Sequence, residues 1–110
     1  MLPGIRLFDM TGQTVIVTGG SKGLGKAIAE GLASAGANIA LVSRNQSEAE
    51  AAANEIAETY NTQTLGLQVD VTQQPAIEAM VAKVAETFGR IDALVNNAGI
   101  NIRGPIDELT

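Results

Sequence analysis

The residues able to do chemistry fall in four clusters. The first is Thr18-Gly19-x-x-x-Gly23-x-Gly25, with Ser21 and Lys22 inside it. It follows a β-branched run, Val15-Ile16-Val17, and precedes a stretch with helical apolar spacing. A turn of this kind aims the first N–H groups of a helix, and the positive end of its dipole, at whatever lies above the strand. That is an anion site, suited to a pyrophosphate. Gly19 permits the tight bend, Gly23 a close backbone approach to phosphate, and Gly25 close packing of helix on strand. Ser21 can donate to a phosphate or ribose oxygen, and Lys22 brings positive charge. The second cluster is Ser43-Arg44-Asn45, the third Asp70-Val71 and the fourth Asn96-Asn97-Ala98-Gly99.

Each cluster also has a plainer reading. Glycine turns between strand and helix occur for packing alone. The stretch from Gly20 to Lys26 fits the opening of a P-loop, but that motif continues with Ser or Thr to hold Mg²⁺, and Ala27 stands there. The G-x-G-x-x-G dinucleotide fingerprint is not matched. In the second cluster no acid takes the place that usually meets a ribose 2′-hydroxyl; the next one is Glu48. The fork of Arg44 together with Lys22 suits a 2′-phosphate, so NADP is expected over NAD. Arg44 read plainly is a solvated loop charge. Asp70 is either an acceptor for an adenine amino group, with Val71 against the ring, or a turn-forming Asp. Asn97 either bridges strand ends or belongs to an Asn-rich turn.

The elements that must position these clusters are legible from periodicity. The strands expected are Thr14 to Thr18, Asn38 to Ser43, Thr64 to Val69 and Ile91 to Asn96. The third alternates apolar and polar residues, which fits a sheet edge. A first helix is expected from Gly23 to Ala35, on a stripe of Leu24, Ala27, Ile28, Gly31, Leu32 and Ala35, with Gly36 as a left-handed stop. A second is expected to begin at Ser47, paired with Glu50 as a capping box, and to run to Tyr60 on Ala49, Ala52, Ala53 and Ile56. Asn61 stops it. The third helix is capped at Thr72, carries Pro75 in its first turn and packs through Ile77, Met80, Val81, Val84 and Phe88, closed by Gly89. Residues Met1 to Gly12 read as a lead-in, with Pro3 and Gly4 at its start and Leu7 and Phe8 able to pack on the sheet. A further helix is expected to start at Ile106. The order β-α-β-α-β-α-β, with right-handed crossovers, gives a doubly wound α/β sheet of parallel strands ordered 3-2-1-4, half of a Rossmann-like fold.

Composition narrows the function. The 110 residues amount to one small domain, 45% apolar and 17% charged, enough to pack a core. A formal charge of −5 argues against broad binding to nucleic acid or anionic membrane. Cysteine and histidine are absent, which removes disulfides, thiolate metal sites and the commonest general base. No metal ligand set is read. No apolar run approaches the roughly 20 residues that span a bilayer, and no signal peptide is read, so a cytoplasmic protein is the expectation.

The turn Thr18-Gly19-x-x-x-Gly23-x-Gly25, Asp70, and Asn97-Ala98-Gly99 at their separations resemble the short-chain dehydrogenase/reductase family. The lead-in and turn are similar to its gluconate 5-dehydrogenase-like branch, which acts on sugar acids and polyols. The resemblance implies a Rossmann fold, a nicotinamide cofactor and hydride exchange with a carbonyl or alcohol. It also implies that Thr18, Gly19, Ser21, Lys22, Gly23, Leu24, Ser43, Arg44, Asp70, Val71, Asn97, Ala98 and Gly99 contact or shape the cofactor site; Gly25 and Asn45 join them from the residue reading. The family's Tyr-x-x-x-Lys lies downstream of Asn-Ala-Gly and has no counterpart here. The single tyrosine is Tyr60, followed four residues on by Thr64. No catalytic residue is therefore assigned. The chain reads as about the amino-terminal half of such an enzyme, inactive alone, with an open fourth strand that favours homo-oligomers. Two other functions stand beside this one: a non-catalytic nucleotide-binding module, and a self-assembling fold fragment without a ligand.

Overall fold

The computed structural model describes residues 9–19 and 21–97. Expectations for the lead-in to Phe8, for Gly20, for Ala98 and Gly99 and the loop beyond, and for a helix at Ile106 fall outside these residues.

Strands β1 (Thr14–Thr18), β2 (Asn38–Ser43), β3 (Thr64–Gln68) and β4 (Ala93–Asn96) alternate with helices α1 (Gly23–Ser34), α2 (Gln46–Tyr60) and α3 (Gln74–Phe88). All strand pairs are parallel, in the order β3-β2-β1-β4. Val15 stands opposite Ile39 on one side and Ala93 on the other, so β1 is central. The run Val15-Ile16-Val17 is buried on both faces because its side chains alternate between two cores. Val15, Val17, Ile39 and Leu41 pack with Ala29 and Ala33 of α1 and Ala52, Ala53 and Ile56 of α2. Ile16, Ala40 and Val42 pack with Met80 and Val84 of α3. Burying one Val or Ile side chain fully is worth about 1.5–3 kcal/mol, so these strands dominate the stability of the chain. β3 is the least buried of the three strands joined through β2 and ends the sheet on that side, as its alternation implies.

Several local expectations are corrected. Helix α1 presents Gly25, Ala29 and Ala33 to the sheet, whereas Leu24 is 64% exposed and Ala27 and Gly31 face outward. The small residues let the helix axis come close to β1, and the larger Ile28 and Leu32 flank the contact half-buried. The cap of α2 is Asn45, not Ser47: its side-chain oxygen accepts from the Glu48 N–H at 3.1 Å, and the Ser47 hydroxyl donates to the same oxygen at 2.8 Å. Helix α3 starts from Gln73 with no side-chain cap, and Thr72 turns back to Asp70 instead. Val81 is exposed, at 42%. Three ends shift: α1 stops at Ser34, β3 at Gln68, and β4 begins at Ala93.

Elsewhere the ends fall as the residues dictate. Gly36 has φ +102°, and a Cβ there would lie 2.6 Å from the Thr11 hydroxyl. Asn61 adopts the left-handed conformation after α2. At the edge of the sheet α2 lies directly on Gly66, whose missing Cβ would fall 2.6 Å from the Ala49 carbonyl oxygen.

Candidate functional site

The carboxyl ends of the four strands gather the four clusters. At the end of β1 the chain turns through Gly19 at φ +65° and Gly23 at φ +57°, both left-handed. The Gly19 N–H donates to the Val42 carbonyl at 2.8 Å, which ties the turn to β2. Lys22 precedes α1 in an extended conformation and offers no side-chain cap, and no acid lies in the first turn. The opening N–H groups of α1 thus lack the partner a cap would supply. Gly25 is wedged beneath the turn: a Cβ there would lie 2.1 Å from the Gly19 carbonyl oxygen and 2.7 Å from Asn97 Nδ2.

Thr18 locks β1 to β4. Its buried hydroxyl lies 3.0 Å from Asn96 Oδ1 and 3.3 Å from the Val95 carbonyl, and it accepts from the Asn97 N–H at 2.8 Å. Asn97 therefore bridges strand ends through its backbone. Ser21 donates to the Ser43 hydroxyl at 3.2 Å, and that oxygen also accepts from the Asn45 N–H at 3.2 Å. The ends of β1 and β2 are joined by this serine pair.

A cleft of about 680 Å³ opens between the ends of β1, β2 and β3, lined by Gly19, Ser21, Lys22, Ser43, Arg44 and Val71, together with Val42, Glu48 and Thr72. Its size suits a small-molecule ligand. Arg44, Gln68 and Asp70 line a second cleft of about 290 Å³. Thr18, Asn96, Leu94 and Val71 line a third, also about 290 Å³, over β1 and β4. The larger opening thus lies on the β2 side of β1 rather than between β1 and β4. Leu24 and Asn45 line none of these clefts, and Asn45 acts as the cap of α2.

Two of the charges have partners within the chain. Lys22 is ion-paired with Glu48 at 3.0 Å. Asp70 accepts from the Thr72 hydroxyl at 2.6 Å and from the Thr72 N–H at 3.0 Å, both through Oδ1, the arrangement of an Asp turn. The hydroxyl contact, then the N–H, holds its carboxyl below the usual carboxylate range, with a smaller contribution from the charge of Arg44. Glu48 and Thr72 were not read as site residues: one is merely the next acid after Arg44, and the other passes for a helix cap. Tyr60 lies elsewhere. It packs against the α1–α2 core, and its hydroxyl donates to Glu30 at 3.3 Å. Among the described residues no cluster of carboxylates, cysteines or histidines could hold a metal ion, and no helix is long and apolar enough to cross a membrane.

This turn, sheet order and cleft define a Rossmann-type nucleotide-binding half. A model of the short chain dehydrogenase family matches residues 13–110, and the chain belongs to that family. Gluconate 5-dehydrogenase of Gluconobacter oxydans is 38% identical over 104 residues, 94% of this chain and 40% of that one. L-sorbose reductase of Gluconobacter frateurii, solved with NADPH and L-sorbose, superposes with a TM-score of 0.81 at 39% identity, over 92% of this chain and 38% of that one. A xylitol dehydrogenase solved with NAD⁺ superposes with a TM-score of 0.77 at 36% identity, over 82% and 34% respectively. The chain spans about two fifths of the length of the curated relatives it matches.

Proposed function

We propose that this chain is the NADP-binding portion of a short-chain dehydrogenase/reductase acting on a CH–OH or ketone group, with a sugar acid or polyol as substrate. The observation that carries the reading is the left-handed Gly19–Gly23 turn, which opens an uncapped helix beside a cleft holding Ser21, Lys22, Ser43 and Arg44. The N–H groups of the first turn of α1 hold the diphosphate, and Gly25 and Asn97 keep that turn seated. Ser21 and Ser43 face the adenosine ribose, Lys22 and Arg44 its 2′-phosphate, and Val71 and Asp70 the adenine. Thr18 and Asn97 lie toward the nicotinamide, and Ala98 and Gly99 belong to the same cofactor-contacting set. The cofactor, when bound, supplies or accepts the hydride.

Two relatives fit this reading: the sorbose reductase binds NADPH, and the gluconate enzyme acts on a sugar acid. The xylitol dehydrogenase with NAD⁺ makes the choice of cofactor a matter for this chain's own residues. Tyr60, between α1 and α2, is not placed to serve as the family's tyrosine. Calorimetric titration of the chain with NADP and NAD tests the reading, and NADP is expected to bind more tightly. Tighter NAD binding would overturn the roles of Lys22 and Arg44, and heat from neither would overturn the site. No turnover of polyols or ketones is expected from this polypeptide alone. A homo-oligomer is part of the same reading. Among the described residues β4 pairs only with β1, and its Leu94 is 57% exposed.

A further inference from the structure

The Lys22–Glu48 pair joins two elements that both border the large cleft. Lys22 precedes α1 and Glu48 lies in the first turn of α2, and the two side chains meet at 3.0 Å. Their side chains are 74% and 40% exposed, so the pair remains reachable from the cleft and from water. The backbone of Glu48 is fixed, because its N–H donates to the Asn45 cap. Among the described residues Glu48 is ion-paired with no other cation. Ser21, Ser43 and Arg44 line the same cleft.

We propose that Glu48 sets how strongly this pocket prefers a 2′-phosphate, by holding Lys22 in an ion pair that the phosphate must break. The inference rests on the dinucleotide reading above. A 2′-phosphate is a strongly charged acceptor that competes with the carboxylate for the ammonium. A 2′-hydroxyl makes no such demand, and the Lys22–Glu48 pair can stay closed when it binds. Glu48 thus lowers affinity for NADP and leaves that for NAD alone. Arg44, whose charge also reaches Asp70, is in no ion pair among the described residues and is the second cation for the phosphate.

The test is calorimetry with NADP and with NAD on the wild-type chain, Glu48→Gln, Lys22→Met and the double variant, with circular dichroism to establish folding. Exposed ion pairs of this kind are worth up to about a fivefold change in an equilibrium constant. Glu48→Gln is expected to tighten NADP by about threefold to fivefold while NAD stays within about 1.5-fold. In the Lys22→Met background the same change is expected to leave NADP within about 1.5-fold, because no ammonium is left to release. Equal tightening of both cofactors, an unchanged NADP affinity, or a gain that persists without Lys22 would each overturn the inference while the cofactor site stands. Absence of heat from both cofactors with every variant would overturn the site itself and this inference with it.

Discussion

At the scale of single residues, the site depends most on an atom that is missing. Gly25 has no Cβ, and the space one would occupy is taken by the Gly19 carbonyl oxygen at 2.1 Å and by Asn97 Nδ2 at 2.7 Å. The first of these is backbone, which cannot swing aside. Gly25→Ala must push α1 from β1 or distort the turn, and overpacking of this kind costs about 1–3 kcal/mol. Urea denaturation should show that loss, and calorimetry should show NADP affinity falling more than stability alone explains. A variant as stable as wild type would refute the wedge. Gly23→Ala would differ, since among the described residues nothing lies within 4 Å of its Cβ, and its left-handed backbone carries the strain. The spacing of these glycines was legible because it follows from local geometry: a strand, a bend and a helix in one continuous stretch. The Lys22–Glu48 pair was not legible, because its partners are 26 positions apart and meet only once α2 has folded onto the sheet.

At the scale of elements, helix starts and strand attachments separate what patterns can and cannot tell. Ser47 with Glu50 reads as a capping box, yet Asn45 stands two residues earlier and makes the bond. Two residues of cap-forming type only two positions apart leave sequence no means of choosing; the path of the chain out of β2 chooses. Asn45→Ala should cost about 1 kcal/mol and Ser47→Ala less than about 0.5, by thermal or urea denaturation. The reverse order would restore the capping-box reading. The face of α1 was misread for a related reason. In a helix rich in alanine and glycine, two overlapping stripes have similar apolar content, and the buried one is the one that lets the backbones approach. Strand β4 is held at its start by Asp92, whose Oδ2 accepts from the Thr14 N–H at 2.8 Å while Arg90 clasps the carboxylate. The Arg90 contact, then the Thr14 N–H, holds this carboxyl below the usual range. A carboxyl with a lowered folded pKa contributes stability above its unfolded value, about pH 4, and loses it as pH falls through the folded value. Asp92→Asn should therefore be less stable than wild type at pH 7, and the gap should shrink as the pH falls below about 4. A gap constant across that range would place the role of Asp92 outside its charge.

At the scale of the whole molecule, the sheet is asymmetric. Helices α1 and α2 share one core, and among the described residues α3 is the helix that serves the other. Helix α2 crosses the edge at β3, pressed on Gly66, so that side of the sheet is partly protected. On the opposite side, β4 has Ala93, Leu94 and Asn96 exposed, and among the described residues it pairs only with β1. In the homo-oligomer proposed above, a second copy adds to β4 through the strand's backbone donors and acceptors. The charge of −5 opposes this association at low ionic strength. Self-association is therefore expected to strengthen with protein concentration and with added salt, as screening reaches a Debye length of about 8 Å near 0.15 M. Light scattering coupled to size-exclusion chromatography, run at two salt concentrations, reads this directly. Leu94→Lys places a charge on β4, a common device for blunting edges, and should return the chain to monomer. A wild-type chain that stays monomeric at high concentration in both salts would show that β4 needs no cover.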